Sequence, residues 1–164
     1  MSHITIRSKL PAQFNSNVIW QKKIMNMIET YRGIVYPSQL DHMGHMNVQW
    51  YAAKFDEATW QLFSMIGITS TYISENNRGM AALEQSTKYK LEVMAGEPLV
   101  IKSKVIEVKD KTIRFLHIMY AAETMHEVAS SEFVAVHLDR NTRKSCMLPA
   151  GIKEKSVELF EIAT

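Results

Sequence analysis

The sequence predicts an α+β domain in which one long helix packs against an antiparallel sheet. Apolar residues recur at helical spacing over residues 48–66, and several later segments alternate between apolar and polar residues, as strands do. The chain has 164 residues, of which 46% are hydrophobic and 22% charged. These values suit one soluble globular domain with a core of its own.

The first predicted strand covers residues 29–36, where β-branched and aromatic residues are frequent, and it ends before Pro37. The residues before it mix polar and apolar types without a clear period, so we interpret them as an N-terminal extension. The domain proper is therefore predicted over residues 29–145. It follows an extension at residues 1–28 and precedes a short polar tail at residues 146–164.

After a polar, histidine-rich loop, the strongest helix signal in the chain begins at Val48. The apolar residues at helical spacing are Tyr51, Phe55, Ala58 and Leu62. Asn47 is a suitable N-cap, and Gly67 is a suitable stop at the C-terminal end. Large aromatic residues on this helix, Tyr51 and Trp60, are expected to pack in the core.

Four further strands follow a polar loop at residues 74–79 and are separated by short turns. They are predicted at residues 80–93, 99–108, 112–121 and 127–138. The 112–121 strand is apolar on both faces, which predicts a central strand covered on both sides, with His117 as a hydrogen-bonded core residue. A sheet face that the helix leaves uncovered favours contact with another subunit.

Composition and charge exclude several classes of protein. The net charge of +2 gives no reason to expect a nucleic-acid partner. No stretch approaches the roughly 18 apolar residues of a membrane-spanning helix, and residues 1–15 lack the apolar run of a secretory signal. A single cysteine, Cys146, permits no intrachain disulfide and fits a cytoplasmic location. The 11 methionines suit an adaptable apolar pocket or an irregular core.

Residues 41–47, Asp-His-Met-Gly-His-Met-Asn, hold the densest cluster of functional side chains, at the predicted start of the helix. A helix N-terminus offers unpaired N–H groups and a partial positive charge, which can stabilise an oxyanion. Asp41 adds a carboxylate that can act as a nucleophile or a general base. Gly44 lets the backbone approach a ligand closely. Together these groups suit attack on a carbonyl.

Two other interpretations of this segment stay open at this point. Asp41 and Asn47 are common helix-capping residues, so the segment could have a purely structural role. His42 and His45 are three residues apart, as some metal ligands are. No strong third ligand lies near them in the sequence, so no metal site is predicted.

The segment from Tyr36 to Tyr51, YPSQLDHMGHMNVQWY, resembles the signature of hotdog-fold acyl-CoA thioesterases of the 4-hydroxybenzoyl-CoA thioesterase type. Those proteins carry an Asp, then Gly-His-Met-Asn or a variant, then a Tyr on the central helix. The resemblance continues to Leu138 and Asp139 and covers about residues 30–145. It implies the hotdog fold, in which a curved antiparallel sheet wraps a long helix.

By this resemblance, Asp41 is the catalytic carboxylate and the backbone N–H at Val48 is the oxyanion donor. His45 and Asn47 line the thioester site. Further substrate contacts are expected from Gly44, Met46, Trp50 and Tyr51. Glu84 is expected either to face a neighbouring subunit's site or to be an ordinary exposed carboxylate on its strand. Some members carry Tyr or His in place of Val48, so the resemblance leaves open whether Asp41 attacks the thioester or activates water. Some similar enzymes act on betainyl-CoA, whose cationic acyl group would suit an aromatic wall at Trp50.

We therefore expect an acyl-CoA thioesterase that hydrolyses a small or medium acyl-CoA to a free acid and coenzyme A and needs no cofactor beyond the coenzyme A of its substrate. The expected assembly is a homodimer or homotetramer, with no nucleic-acid or membrane partner. Two alternatives keep the fold but change the function: an acyl-CoA hydratase or dehydratase, and a non-catalytic dimer that binds an acyl ligand. The acyl group itself is not predicted.

Overall fold

A computed structural model of the chain describes residues 27–162, so the predicted N-terminal extension, apart from its last two residues, lies outside the described residues. The elements are β1 (Ile28–Ile34), α1 (Val48–Met65), α2 (Ser70–Asn76), β2 (Arg78–Tyr89), β3 (Pro98–Val108), β4 (Thr112–Ala121), β5 (Glu127–Asp139), β6 (Lys144–Ser145) and α3 (Ala150–Ile162). A 3-10 turn at Pro37–Gln39 lies between β1 and α1.

The described strands form one antiparallel sheet in the order β1-β3-β4-β5-β2, with the short β6 paired to β5. The sheet curls around α1, and the buried face of that helix supplies much of the core. The predicted α+β hotdog fold is confirmed. None of the helices within residues 27–162 is long and apolar enough to cross a membrane.

Helix α1 forms where the periodicity predicted it. The Asn47 side chain accepts a hydrogen bond from the Gln49 N–H at 3.0 Å, which satisfies one of the free donors of the first turn. The predicted apolar face is buried. The helix ends before Gly67, whose φ of +96° is a conformation that glycine adopts without steric cost.

The prediction that Trp60 packs in the core is wrong, because its side chain is 54% exposed. Tyr51, in contrast, is buried as predicted. The two residues are nine positions apart, which places them on opposite sides of a helix with 3.6 residues per turn. Trp60 therefore lies away from the buried face that Tyr51 shares.

Several elements differ from the sequence prediction, and the differences at β2 and α2 have a clear physical reason. Strand β2 ends at Tyr89 rather than at Val93, because the N–H groups of Lys90 and Leu91 both donate to the Val128 carbonyl and the regular ladder stops there. Helix α2 was not predicted, and part of it falls in the predicted polar loop. None of its seven residues is buried, so it carries no apolar period.

The C-terminal tail packs against the same core as the rest of the domain. Leu148 and Ile152 are each only 6% exposed and belong to the main hydrophobic cluster. Lys153 at the start of α3 forms an ion pair of 2.8 Å with Asp110 in the β3–β4 turn. Helix α3 therefore closes one end of the domain.

His117 on β4 is fully buried, as the prediction of a core histidine requires. Its Nε2 lies 2.9 Å from the Thr59 hydroxyl, and its Nδ1 contacts the Ser103 hydroxyl. The Thr59 hydroxyl already donates to the Phe55 carbonyl, so Nε2 is the ring nitrogen that carries the proton. Burial lowers the pKa of His117 to about 3, which keeps this imidazole neutral.

Candidate active site

The loop that holds Asp41 is fixed by its own backbone. The Asp41 N–H donates to the His45 carbonyl at 2.9 Å, and the Gly44 N–H donates to the Asp41 carbonyl at 3.1 Å. Gly44 adopts a φ of +88°, which favours glycine. The Asp41 Oδ1 accepts the Met43 N–H at 2.8 Å. One carboxylate oxygen is thus held by the loop, while Oδ2 lies nearer to His45.

A second segment, just after β2, forms the opposite wall of a cleft. The Met46 N–H donates to the Val93 carbonyl at 2.8 Å, and Met46 also forms an isolated bridge with Leu40. The hydrogen bond from Met46 to Val93 joins two segments that are far apart in the chain around one cleft of about 250 Å³. The cleft is lined by Asp41, His45, Met46, Val48, Tyr51, Tyr89, Lys90, Leu91 and Glu92.

The imidazole of His45 lies between two carboxylates. Its Nδ1 is 3.8 Å from the Asp41 Oδ2, and its Nε2 is 3.4 Å from the Glu92 Oε1. The cation of Lys90, on the same wall as Glu92, forms an ion pair of 2.8 Å with Glu127. The groups in the cleft that can accept a proton are therefore two carboxylates and one imidazole.

The N-terminus of α1 reaches the cleft at Val48. No residue within the described range accepts the Val48 N–H, as expected for the first position of a helix. The Asn47 amide oxygen is occupied by the Gln49 N–H, so Asn47 caps the helix. The Val48 N–H is consequently free to donate to an oxygen that carries negative charge.

Two tyrosines form the aromatic part of the cleft. The rings of Tyr51 and Tyr89 meet edge to face, with centroids 5.1 Å apart. The Tyr51 hydroxyl donates to the Leu91 carbonyl at 3.3 Å. Burial, with a further contribution from Tyr89, raises the pKa of Tyr51 to about 12. Tyr51 therefore stays protonated and acts as a hydrogen-bond donor.

Some of the residues predicted from the sequence line the cleft and others do not. Those that line it are Asp41, His45, Met46, Val48 and Tyr51. Those outside its lining are Gly44, Asn47, Trp50 and Glu84. Trp50 packs against the hydrophobic core, and Glu84 is exposed on β2. The roles of all these residues stay predictions.

Four lining residues were not predicted from the sequence: Tyr89, Lys90, Leu91 and Glu92. Their segment continues the alternating pattern of β2, so the sequence alone places them in an ordinary strand. The hydrogen bond between Met46 and Val93 places these four residues at the cleft, and this contact is visible only in the folded chain.

Another cavity, of about 370 Å³, lies between α1 and strands β2, β4 and β5. Its aromatic lining includes Phe63, Phe115 and Phe133, and two arginines, Arg140 and Arg143, also line it. None of the site residues predicted from the sequence lines this cavity. The smaller cleft at Asp41 is the better candidate active site, because it combines a carboxylate, an imidazole and a free helix N–H.

Comparison with known proteins shows the family of the chain. The model of the thioesterase-like superfamily matches residues 35–156. Betainyl-CoA thioesterase from Pseudomonas aeruginosa is 24% identical over 135 residues, which are 82% of this chain and 85% of that protein. L-carnitine dehydrogenase/betainyl-CoA thioesterase from Rhizobium meliloti is 24% identical over 122 residues, which are 74% of this chain. The chain spans 24% of the length of that second relative.

A solved structure supports the fold independently. The protein SAV2348 from Staphylococcus aureus, solved in complex with CoA, superposes with a TM-score of 0.76 at 15% identity. The match covers 82% of this chain and 85% of that one. At this identity, the likeness shows the fold alone. The family match covers most of the chain, from the 3-10 turn to the C-terminal helix, and the chain therefore belongs to the thioesterase-like superfamily.

Proposed function

We propose that the chain is an acyl-CoA thioesterase that cleaves its substrate to a free acid and coenzyme A, with no other cofactor. The observation that carries this proposal is one cleft that holds Asp41, His45 and the free N–H of Val48. The superfamily to which the chain belongs supports the same reaction.

In the proposed reaction, the thioester carbonyl oxygen accepts the Val48 N–H, which stabilises the negative charge that develops on it. Asp41 either attacks the carbonyl carbon or takes a proton from a water molecule whose oxygen attacks it. When water attacks, the tetrahedral intermediate collapses by breaking the C–S bond, and the leaving sulfur receives the proton that Asp41 accepted. When Asp41 attacks, the C–S bond breaks to give an anhydride and the thiolate of coenzyme A. Water then hydrolyses the anhydride to the free acid and the Asp41 carboxylate, and a proton released in this step converts the thiolate to the thiol.

The test is steady-state hydrolysis of a panel of acyl-CoA thioesters by the wild type and Asp41→Asn. Loss of the carboxylate should lower kcat by at least about 100-fold, the usual contribution of a general base or nucleophile. Asp110→Asn is the matched control, because it makes the same change in an exposed turn of the β3–β4 connection. Near-wild-type activity of Asp41→Asn would show that Asp41 is not the catalytic carboxylate.

The same panel separates the alternative functions. A hydratase or dehydratase would convert an enoyl-CoA without releasing free thiol, which product analysis detects. A non-catalytic dimer would bind acyl-CoA and release nothing. The thioesterase proposal requires release of coenzyme A in a ratio of one to each free acid formed.

For the acyl group, we propose a small cationic one of the betaine type. The cleft combines two tyrosine rings with the carboxylates of Asp41 and Glu92. Aromatic faces attract quaternary ammonium groups, and carboxylates add attraction of opposite charge. The Tyr89 side chain is about half exposed, so its ring is accessible to such a group. The names of the relatives, which include betainyl-CoA thioesterase, support this choice of first substrate.

A matched pair of substrates tests this choice. Betainyl-CoA and 3,3-dimethylbutyryl-CoA have the same shape, but a carbon replaces the charged nitrogen in the second. Recognition of the cation should give betainyl-CoA a kcat/KM higher by about tenfold or more, and Tyr89→Leu should remove most of that preference. Equal kcat/KM values for the two substrates would contradict a cationic acyl group.

We also propose that the working unit is a homodimer joined through β2. Within residues 27–162, no segment pairs with the outer edge of this strand of 12 residues. An open edge of this length invites pairing with another strand, and a second copy can pair with it about a twofold axis. Leu83 is 63% exposed on this strand, and Glu84 follows it. Such pairing would place Glu84 at the interface, near a neighbouring subunit.

Light scattering after size-exclusion chromatography tests the assembly. Leu83→Lys should shift the wild-type dimer toward monomer, because a lysine on an edge strand opposes pairing between strands. Met147→Lys is the matched control, since it places the same charge on another exposed apolar residue. A wild-type monomer, or a dimer that Leu83→Lys leaves intact, would exclude this interface.

A further inference from the structure

Glu92 lines the candidate active site on the wall opposite Asp41, and the ring of His45 lies between the two carboxylates. The Glu92 Oε1 is 3.4 Å from the His45 Nε2, and the other ring nitrogen faces Asp41. The backbone next to Glu92 is fixed, because the Val93 carbonyl accepts the Met46 N–H at 2.8 Å. Glu92 and His45 are thus neighbours of the two residues that join the walls of the cleft.

A neutral imidazole carries a proton on only one of its two nitrogens, and the partner of each nitrogen decides which one. Asp41 and Glu92 both accept hydrogen bonds when ionised, and each favours a proton on the ring nitrogen that faces it. The Glu92 Oε1 is the nearer of the two, at 3.4 Å against 3.8 Å for the Asp41 Oδ2, which favours the form of His45 in which Nε2 carries the proton. Nδ1 then has a free lone pair on the side of Asp41. The Asp41 Oδ2 and the His45 Nδ1, 3.8 Å apart, are both acceptors in this form and cannot bond to each other.

A water molecule that donates one hydrogen to each of these two acceptors would be bound and oriented. The lone pairs of its oxygen would point away from both acceptors, so one of them could attack the carbonyl carbon of a thioester. We propose that Glu92 is a positioning residue that locks His45 in the Nε2–H form, so that Asp41 and His45 together hold the attacking water. This inference rests on the proposed thioesterase function, and it selects attack by water over attack by Asp41.

The proposed step balances without a co-reactant. The water oxygen forms a bond to the carbonyl carbon while one water proton passes to Asp41. The C–S bond then breaks, the electron pair stays on sulfur, and the proton returns to that sulfur to give the thiol of coenzyme A. His45 accepts a hydrogen bond throughout and undergoes no net change in protonation.

Glu92 is well suited to variants, because its side chain is 75% exposed and its loss should not unfold the chain. Glu92→Ala removes the acceptor, so both forms of the neutral ring become accessible. Glu92→Lys supplies only donors, so it should favour the opposite form, with the proton on Nδ1. Glu75→Ala and Glu75→Lys are matched controls on the exposed face of α2.

The form of the ring is measured by long-range ¹H–¹⁵N correlation NMR, with the His45 signals identified by their absence in His45→Gln. The wild type should show the Nε2–H pattern, Glu92→Ala a mixture, and Glu92→Lys the Nδ1–H pattern, while both Glu75 variants keep the wild-type pattern. An unchanged pattern in Glu92→Lys, or a wild-type ring protonated on both nitrogens, would overturn the proposal.

Kinetics on the neutral substrate 3,3-dimethylbutyryl-CoA give the second readout. Glu92→Ala should lower kcat by about tenfold or more with KM within about twofold, and Glu92→Lys should lower kcat further, because fewer molecules hold the water correctly. A raised KM with unchanged kcat would instead make Glu92 a substrate contact and overturn its positioning role. Failure of the wild type to hydrolyse any acyl-CoA would overturn the proposed function, whereas an unchanged ring pattern overturns only this inference.

Discussion

Lowering the pH from about 7.5 to about 4.5 should remove about 3 kcal/mol of folding stability through His117 alone. The folded protein holds this imidazole neutral in the core, where burial lowers its pKa from 6.5 to about 3. The unfolded chain, in contrast, exposes His117 to water and binds the proton near the ordinary pKa. Because the unfolded state binds more protons between these two values, stability is full above about pH 6.5 and is lost as the pH falls toward 3.

The magnitude follows from the distance between the assay pH and the ordinary pKa of histidine. About pH 4.5 lies two units below 6.5, and each unit corresponds to about 1.36 kcal/mol, which gives roughly 2.7 kcal/mol. The result does not depend on the depressed pKa itself as long as that value stays well below 4.5. Burial also lowers the pKa of His137, so the wild type should lose somewhat more than this.

The assay is urea unfolding followed by the fluorescence of the three tryptophans, at both pH values and at one fixed protein concentration. His117→Gln should flatten the pH dependence by about 3 kcal/mol, whatever its stability at neutral pH. His126→Gln, which changes an exposed histidine in the β4–β5 turn, should keep the wild-type slope. If His117→Gln loses as much stability on acidification as the wild type, the buried neutral imidazole of His117 is not the cause of the acid destabilisation.

Three further predictions concern stability and use the same urea assay. Phe55→Ala should cost about 3–5 kcal/mol, because its side chain is fully buried between α1 and the sheet, and a loss below 1 kcal/mol would contradict that packing. Asn47→Ala should cost about 1 kcal/mol through the lost helix cap, and Asn47→Asp should retain most of the stability, since Asp caps equally well. Gly67→Ala should destabilise the fold by about 1–2 kcal/mol, because φ is positive at that position. Gly151→Ala should stabilise the fold slightly, because Gly151 lies in a helix with open space around it. Effects of the same sign in the two variants would refute the backbone argument.

The long helix and the four main strands could be predicted because each repeats one spacing over ten or more residues. Helix α2 could not, since it is short and none of its residues is buried. To predict the exposure of Trp60, one has to consider its position on the helix relative to Tyr51 and not only its aromatic type. Local spacing therefore predicts long elements and fails where burial is absent, whereas the error at Trp60 came from reasoning by residue type instead of spacing.

Five of the nine residues that line the candidate site could be predicted from the sequence, because they lie close together in the chain. Asp41, His45 and Val48 lie in one short segment, so their proximity follows from the chain itself. Tyr89 and Glu92 lie more than 40 residues later, and their approach depends on how the sheet curls. A single sequence contains no local signal for such a contact.

The hydrogen bond between the Met46 N–H and the Val93 carbonyl has a consequence for how specificity can diversify. Main-chain atoms join the two walls, so in the proposed reaction the separation of the reacting groups would not depend on the side chains that face the acyl group. Exposed lining residues such as Val48, Tyr89 and Leu91 can change in size or polarity while that bond persists. If this cleft is the active site, as proposed, new acyl preferences would need only single substitutions and no change in the groups that cleave the thioester.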